Sequence, residues 1–363
     1  MIVLVLGGYG HFGALIAATL ARAGGFDVVI AGRDRAKAED LARRVEARAA
    51  CIDVTDPALG RQVAEVAPRL VINTAGPFQR RDHCVARAAI AAGSHYVDLS
   101  DSREYVCAVA SLDLEARARD VLVVSGASSV PALSAAVVDR FHADFEALYE
   151  VDVGISTSAR LPGAATIASV LGSCGRPIPQ LREGTWIRGH GGQAIRRRRF
   201  AKPAMSRWIC DCDVPDLELF PRRYPTLRTV RFGAGVEIGL VQWSYWLLSW
   251  MVRAGMIGDV VRWAPALSSA ARALQGLGTG RSAMFVTLRG VDREGRARVR
   301  NWELAAFDEE GAMVPCMAAI ALARKLARGE IAERGAMPCM GLVTLEEYLR
   351  ELEPWKVQAH ETH

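Results

Sequence analysis

Lysine is nearly missing from this 363-residue chain: Lys37, Lys202, Lys325 and Lys356 are the only four, and arginine carries almost all of the positive charge. Mechanisms built on a lysine acid, base or Schiff base therefore have few residues to draw on. None of the seven tyrosines is followed by lysine four positions later, which excludes a catalytic pair of the Y-x-x-x-K type. The eight cysteines form no C-x-x-C, and Cys210-Asp211-Cys212 has no second pair to complete a tetrahedral zinc site. No metal is expected, and the thiols read as reduced and mostly buried. The net charge of +5 is mild for the length, and no zinc-finger or RNP-like pattern occurs, so nucleic acid is not an expected partner. Met1 leads straight into an apolar run with no basic leader or small-residue cleavage site, and a cytoplasmic protein is expected.

What is present is concentrated at the start. Ile2-Val3-Leu4-Val5-Leu6 is the branched apolar run that a parallel strand buried on both faces needs. Gly8-Tyr9-Gly10-His11-Phe12-Gly13 follows and fits G-x-G-x-x-G, and Phe12, Leu15, Ile16, Thr19 and Leu20 then recur at helical spacing up to Gly24-Gly25. Strand, glycine turn and helix in that order predict a dinucleotide site. Gly8 permits the tight turn, Gly10 admits a pyrophosphate against the backbone, and Gly13 lets helix and strand pack closely. The helix N-terminus presents N–H groups and its positive dipole end to the phosphates. Tyr9, His11 and Phe12 lie within the turn and count among the cofactor contacts, with space filling as the alternative for His11.

A second strand, Phe26–Ala31, leads into Gly32-Arg33-Asp34-Arg35. An acidic residue at this point would take the ribose 2′-hydroxyl of NAD; here Arg33 is the first side chain past the strand, and a guanidinium suits a 2′-phosphate. NADP(H) is therefore expected over NAD(H), with Asp34 as the N-cap of the next helix. Strand–helix units continue. Ala50–Val54 ends near Asp53, which reads equally as an adenine contact or a loop cap. Leu70–Ile72 runs into Asn73-Thr74-Ala75-Gly76-Pro77-Phe78, a loop of small residues able to lie against a dinucleotide. Then come a helix over 80–92, a strand His95–Leu99, a helix over 103–119, a strand Val121–Val124, and the loop Ser125–Pro131 opening a helix near 131–142. Alternation puts Tyr96 and Asp98 on one face of their strand. Both are candidate catalytic acid–base groups, with core packing for Tyr96 and helix capping for Asp98 as the structural alternatives.

Beyond about 145 the texture changes. Leu148–Ile155 alternates with period two and reads as an antiparallel strand, 164–172 as a short helix, Trp186–Phe200 as a hairpin about Gly189-His190-Gly191-Gly192, Thr226–Phe232 as a strand, and 282–304 as a long hairpin. The fold class is α/β: an N-terminal Rossmann-type parallel sheet over 1–130, a mixed α+β domain over 131–312, and a C-terminal helical segment, 313–363, packing back near the first. His190 is either an exposed turn residue or a catalytic group that a loop brings to the substrate. Arg196 to Arg199 form either a solvated strand edge or the source of one arginine for a substrate carboxylate or phosphate. Residues 238–252 carry no charge but hold three tryptophans and a tyrosine; fifteen residues fall short of a membrane span. The segment reads as a helix buried between domains or in a homodimer, with weak membrane or lipid association, or a greasy substrate pocket, as the alternative.

Through Val3–Gly13, Asn73–Phe78, Gly93–Asp101 and Ser125–Pro131 the chain resembles the saccharopine dehydrogenase-like oxidoreductases, in the branch related to saccharopine reductase, and Gly335–Val343 looks like the family's less-studied members. The resemblance implies a Rossmann domain, an α+β domain supplying substrate and often dimer contacts, and NAD(P)-dependent hydride transfer on a small-molecule substrate. The reacting centre would be a C–N bond, typically an imine, or a carbonyl carbon. By the same resemblance Gly76-Pro77-Phe78 lies near the nicotinamide, and Asp98 and Ser100 face the cleft. The Lys/His acid–base pair of the lysine-forming enzymes does not transfer, since no lysine lies between Lys37 and Lys202. The competing expectation, supported by the sparse acid–base inventory, is a dinucleotide-binding redox sensor or scaffold without turnover.

Overall fold

The computed structural model describes residues 1–79, 82–160, 164–201 and 205–362, and divides into two compact units. In the first, strands and helices alternate: β1 (Ile2–Leu6), α1 (His11–Ala23), β2 (Asp27–Gly32), α2 (Arg35–Val45), β3 (Arg48–Cys51), α3 (Leu59–Val66), β4 (Leu70–Asn73), α4 (Cys84–Ala91), β5 (His95–Asp98), α5 (Arg103–Ala108), α6 (Asp113–Ala118) and β6 (Leu122–Ser125). The strands are parallel in the order β6-β5-β4-β1-β2-β3. Helices cover both faces, so β1 and β4 are apolar on both sides and buried. The order reverses between β1 and β4, which brings the turn after β1 and the loop after β4 to one crevice. Two helices differ from expectation. The one over 80–92 is helical over Cys84–Ala91, with 80 and 81 outside the described residues. The one over 103–119 is interrupted at Val109–Leu112, where a 3₁₀ turn buries both Val109 and Leu112. The tighter winding aligns positions three apart, which a continuous α-helix does not do as well.

The second unit carries α7 (Ser134–His142), β7 (Ala147–Thr157), α8 (Ala164–Ser173), β8 (Pro177–Arg182), β9 (Thr185–His190), β10 (Arg196–Phe200), β11 (Met205–Asp211), α9 (Asp216–Arg223), β12 (Thr229–Val236), α10 (Gly239–Arg253), α11 (Ala264–Ala273), β13 (Ser282–Val291) and β14 (Ala297–Ala306). Its main sheet runs β10-β11-β12-β7-β13-β14. β7 is antiparallel to β13, as its pattern predicts, but parallel to β12; period-two alternation reports which faces are buried, not the direction of the partner. The hairpin read at Trp186–Phe200 is corrected. β9 pairs back onto β8 across Glu183-Gly184, both at positive φ, while β10 pairs forward onto β11. Two consecutive positive-φ residues suit a two-residue hairpin, and Glu-Gly is a weaker written signal for it than the glycine cluster at 189–192.

The arginine run lies on edge strand β10 and splits by alternation. Arg197 and Arg199 are exposed. Arg196 pairs with Asp152 at 2.9 Å and Asp211 at 3.1 Å, and Arg198 reaches Glu303 at 3.0 Å. The solvated-edge reading therefore describes only one face of the strand. Within this single chain α10 buries Gln242 and Ser249 and exposes Leu240, Trp243, Leu247 and Trp250.

The C-terminal segment serves both units. α12 (Met317–Ala327) and β15 (Gly335–Pro338) return to the first, where β15 pairs parallel with β6 and completes a seven-stranded sheet. α13 (Leu345–Leu352) follows, and β16 (Val357–Thr362) then pairs antiparallel with β14 in the second unit. The segment read as helical over 313–363 thus ends in a strand. The first unit comprises 1–133 and 313–351, and the second 134–312 and 352–363.

Candidate dinucleotide and active site

The turn after β1 is held from three sides. Gly7, at φ +70°, supplies the left-handed residue, and Gly10 N–H donates to Gly7 O at 2.8 Å to close the turn. Gly8 N–H donates to Ala31 O at 3.0 Å, tying the turn to β2. Thr74 Oγ1 donates to Leu6 O at 2.8 Å, tying it to the loop after β4. Gly13 is packed against this turn: a Cβ there would stand 2.4 Å from Gly7 O and 2.9 Å from Gly8 Cα. Gly10 is the N-cap of α1 and carries no side chain over the helix N-terminus. A backbone cradle of this form at a helix N-terminus suits a diphosphate. Behind it, Cys316 at the start of the C-terminal helical return donates to Phe12 O at 3.8 Å.

At the end of β2 the Tyr9 ring lies over Gly32, where a Cβ would come within 2.4 Å of Cε1, and the Tyr9 hydroxyl accepts the Asp34 N–H at 2.9 Å. Asp34 caps α2: its Oδ1 accepts Lys37 N–H at 3.1 Å, and Lys37 holds its carboxyl below the ordinary range. Arg33 beside it is exposed. Asp53 accepts both the N–H and the hydroxyl of Thr55, at 2.9 and 2.7 Å. That is the loop-cap alternative, and it does not by itself place an adenine.

The loop after β4 starts from Asn73, whose Oδ1 accepts Ala75 N–H at 3.0 Å and whose Nδ2 donates to the Tyr96 hydroxyl at 3.0 Å. Thr74, Ala75, Gly76 and Pro77 are partly exposed, while Phe78 is buried against the Tyr105 ring at 5.2 Å. Tyr96 is fully buried and its hydroxyl also meets that of Tyr105 at 3.3 Å. His83 stacks on Tyr105 at 4.1 Å, and burial depresses its pKa. Asp98, beside Asn73 in register, is also buried. Its Oδ1 accepts Ser125 Oγ–H at 2.9 Å, Gly126 N–H at 2.9 Å and Ser100 N–H at 3.0 Å. Burial pushes its carboxyl up to about 6 against the pull of these donors. Cys339 N–H donates to Ser125 O at 2.8 Å, so the C-terminal return helps to hold this network.

Asp98 and Tyr96 are thus neighbours, as alternation predicts, but Tyr96 anchors the Asn73 loop from the core. His190 belongs to the other unit, at the end of β9, where desolvation, Arg253 and Arg188 lower its pKa. Sequence reasoning missed Tyr105, His83 and Gly126. Gly126, at φ +82° with Pro131 against its Cβ position, is the one with a written signal, Ser-Gly-Ala at a strand end.

A glycine turn at the reversal point of a parallel sheet, facing a second strand-end loop, defines a dinucleotide-binding protein. Residues 3–124 match the family model described as the saccharopine dehydrogenase NADP binding domain. The fold of the whole chain is similar to apo saccharopine dehydrogenase (L-Glu forming) from Saccharomyces cerevisiae, at 15% identity and TM-score 0.68 over 100% of both chains. It is also similar to the homospermidine synthase of Legionella pneumophila solved with NAD, at 9% identity and TM-score 0.62 over 100% of this chain and 92% of that one. No curated protein matches the chain in sequence. Residues 3–124 thus carry a domain of the saccharopine dehydrogenase NADP-binding type, and the whole chain shares the fold of saccharopine dehydrogenase.

Proposed function

We propose that the protein uses NADP(H) in preference to NAD(H), and that it oxidises or reduces a small molecule at a C–N (amine or imine) or carbonyl carbon. One observation carries the cofactor preference: Arg33 is exposed just past β2, while the neighbouring carboxylate, Asp34, is tied to the cap of α2. In this reading the Gly7–Gly13 turn and the start of α1 hold the diphosphate, Arg33 the 2′-phosphate, and Asn73 to Pro77 border the nicotinamide, which supplies or accepts the hydride. Tyr96 is a positioning residue that fixes Asn73. Asp98 holds Ser125 and Gly126 in place and is the nearest titratable carboxyl in that network. A dinucleotide-binding sensor without turnover is the second reading, favoured by the engagement of both Tyr96 and Asp98 inside the core.

Titrations with NADPH and NADH test the preference. NADPH should bind more tightly, and Arg33→Ala should weaken NADPH roughly ten- to a hundredfold, the worth of a charge-assisted contact, with little change for NADH. Tighter NADH binding, or unchanged NADPH affinity in Arg33→Ala, overturns it. A panel of imines, amines and ketones followed by nucleotide absorbance then separates turnover from sensing.

A further inference from the structure

We propose that the outer face of α10, with the turn and helix that follow it, seats the second unit on an anionic lipid surface. α10 is apolar on both sides. Toward its own unit, Leu248 and Val252 pack against Leu171, Cys174 and Val260, while Gln242 accepts Val236 N–H at 3.1 Å and donates to Ala234 O at 3.3 Å, and the Tyr245 hydroxyl donates to Val170 O at 3.1 Å. The outward side is apolar. Leu240, Trp243, Leu247 and Trp250, spaced three or four apart and so on one stripe, are 64%, 39%, 56% and 43% exposed. Past the helix Met256 and Trp263 are also exposed, at 71% and 56%. A surface helix with one side already packed on its own unit ordinarily shows polar residues to water, so a second, outward apolar stripe calls for an apolar partner.

The charges around the stripe decide which partner. Between 239 and 277 the charged residues are Arg253, Arg262, Arg272 and Asp259, all exposed, and Asp259 accepts the Val261 N–H. A second copy on a two-fold axis would set this basic rim against itself. An anionic headgroup layer complements it, and indole rings are suited to the boundary between headgroups and acyl chains. No described helix is long and apolar enough to cross a membrane, so the contact lies in the interface plane.

The full chain should co-float with vesicles of phosphatidylcholine mixed with phosphatidylglycerol, with a blue shift of tryptophan emission, and bind vesicles of phosphatidylcholine alone more weakly. The pair Leu247→Asp and Trp250→Ser should weaken vesicle binding roughly tenfold or more, since both apolar anchors leave the interface. NADPH affinity and the circular dichroism spectrum should stay unchanged. Independently, Arg262→Glu with Arg272→Glu should erase the preference for anionic vesicles. Failure of the wild-type protein to co-float overturns the proposal. So does a dimer, seen by analytical ultracentrifugation, that the Leu247→Asp, Trp250→Ser pair dissociates while wild-type vesicle binding is absent.

Discussion

Single side chains set the terms of the dinucleotide site. The third glycine of the turn has no room for a methyl group: a Cβ would stand 2.4 Å from Gly7 O, 2.6 Å from Thr74 Oγ1 and 2.9 Å from Gly8 Cα, and the Thr74 hydroxyl is itself held by Leu6 O. Gly13→Ala should therefore abolish measurable NADPH binding in a fluorescence titration and cost about 1–3 kcal/mol in urea unfolding, as overpacking does. Asp98 makes a pH-dependent prediction. Its native pKa is raised, so the folded protein binds this proton more tightly than the unfolded chain. The associated stability is present below the unfolded pKa and is lost as pH rises from about 4 to about 6. The unfolding free energy of the wild type minus that of Asp98→Asn should fall by roughly 3 kcal/mol across that window and level off above it. A flat difference between pH 4 and 7, measured by denaturant titration, would show that Asp98 is ordinary in its acidity.

Individual elements show where alternation and periodicity are informative and where they stop. On β10, strand geometry alone puts Arg196 and Arg198 on one face and Arg197 and Arg199 on the other, but only β7, β11 and β14 decide which face is covered and what the pair meets. Glu303 is buried, accepts the Ala201 N–H at 2.9 Å as well as Arg198, and has its charge matched by that guanidinium. Arg198→Met should destabilise the protein by about 3–5 kcal/mol, the cost of leaving a buried charge without its partner. Arg198→Met combined with Glu303→Leu should recover most of that loss, and urea midpoints of the two variants provide the comparison. On α10 the uncharged run gave the helix but did not say which of its faces is covered. An uncharged run is apolar all round on paper, and which of its residues are buried depends on the sheet beneath.

For the molecule as a whole, the return of the C-terminal segment is the organising fact. β15 closes the edge of the first sheet at β6, and Cys316 and Cys339 contact Phe12 and Ser125, so the cofactor loops are braced by residues far away in sequence. Saturation with NADPH at a hundred times its Kd should stabilise the first unit by about 2.7 kcal/mol. Hydrogen-exchange protection gained on binding should appear in 313–351 as well as in 1–133. Protection confined to 1–133 would mean that the returning segment is not part of the nucleotide-binding cooperative unit.

Most of the first unit was legible in the chain, because each element there is encoded locally. Five branched residues make β1, a glycine spacing makes the turn, Asp34 caps its own helix, and parallel strands buried on both faces leave long apolar runs. The cofactor side of the site shares that legibility, since its residues lie within a few positions of strand ends. The partners of Asp98 and Tyr96 were not legible: Ser125, Gly126 and Tyr105 come from other turns of the chain, and hydrogen bonds across strands leave no periodic trace. Nor were the pairing of β9 with β8, the direction of β7 against β12, or the outward face of α10. These depend on which surfaces meet once the chain has closed, and a local pattern of burial and propensity is the same whichever neighbour supplies the burial.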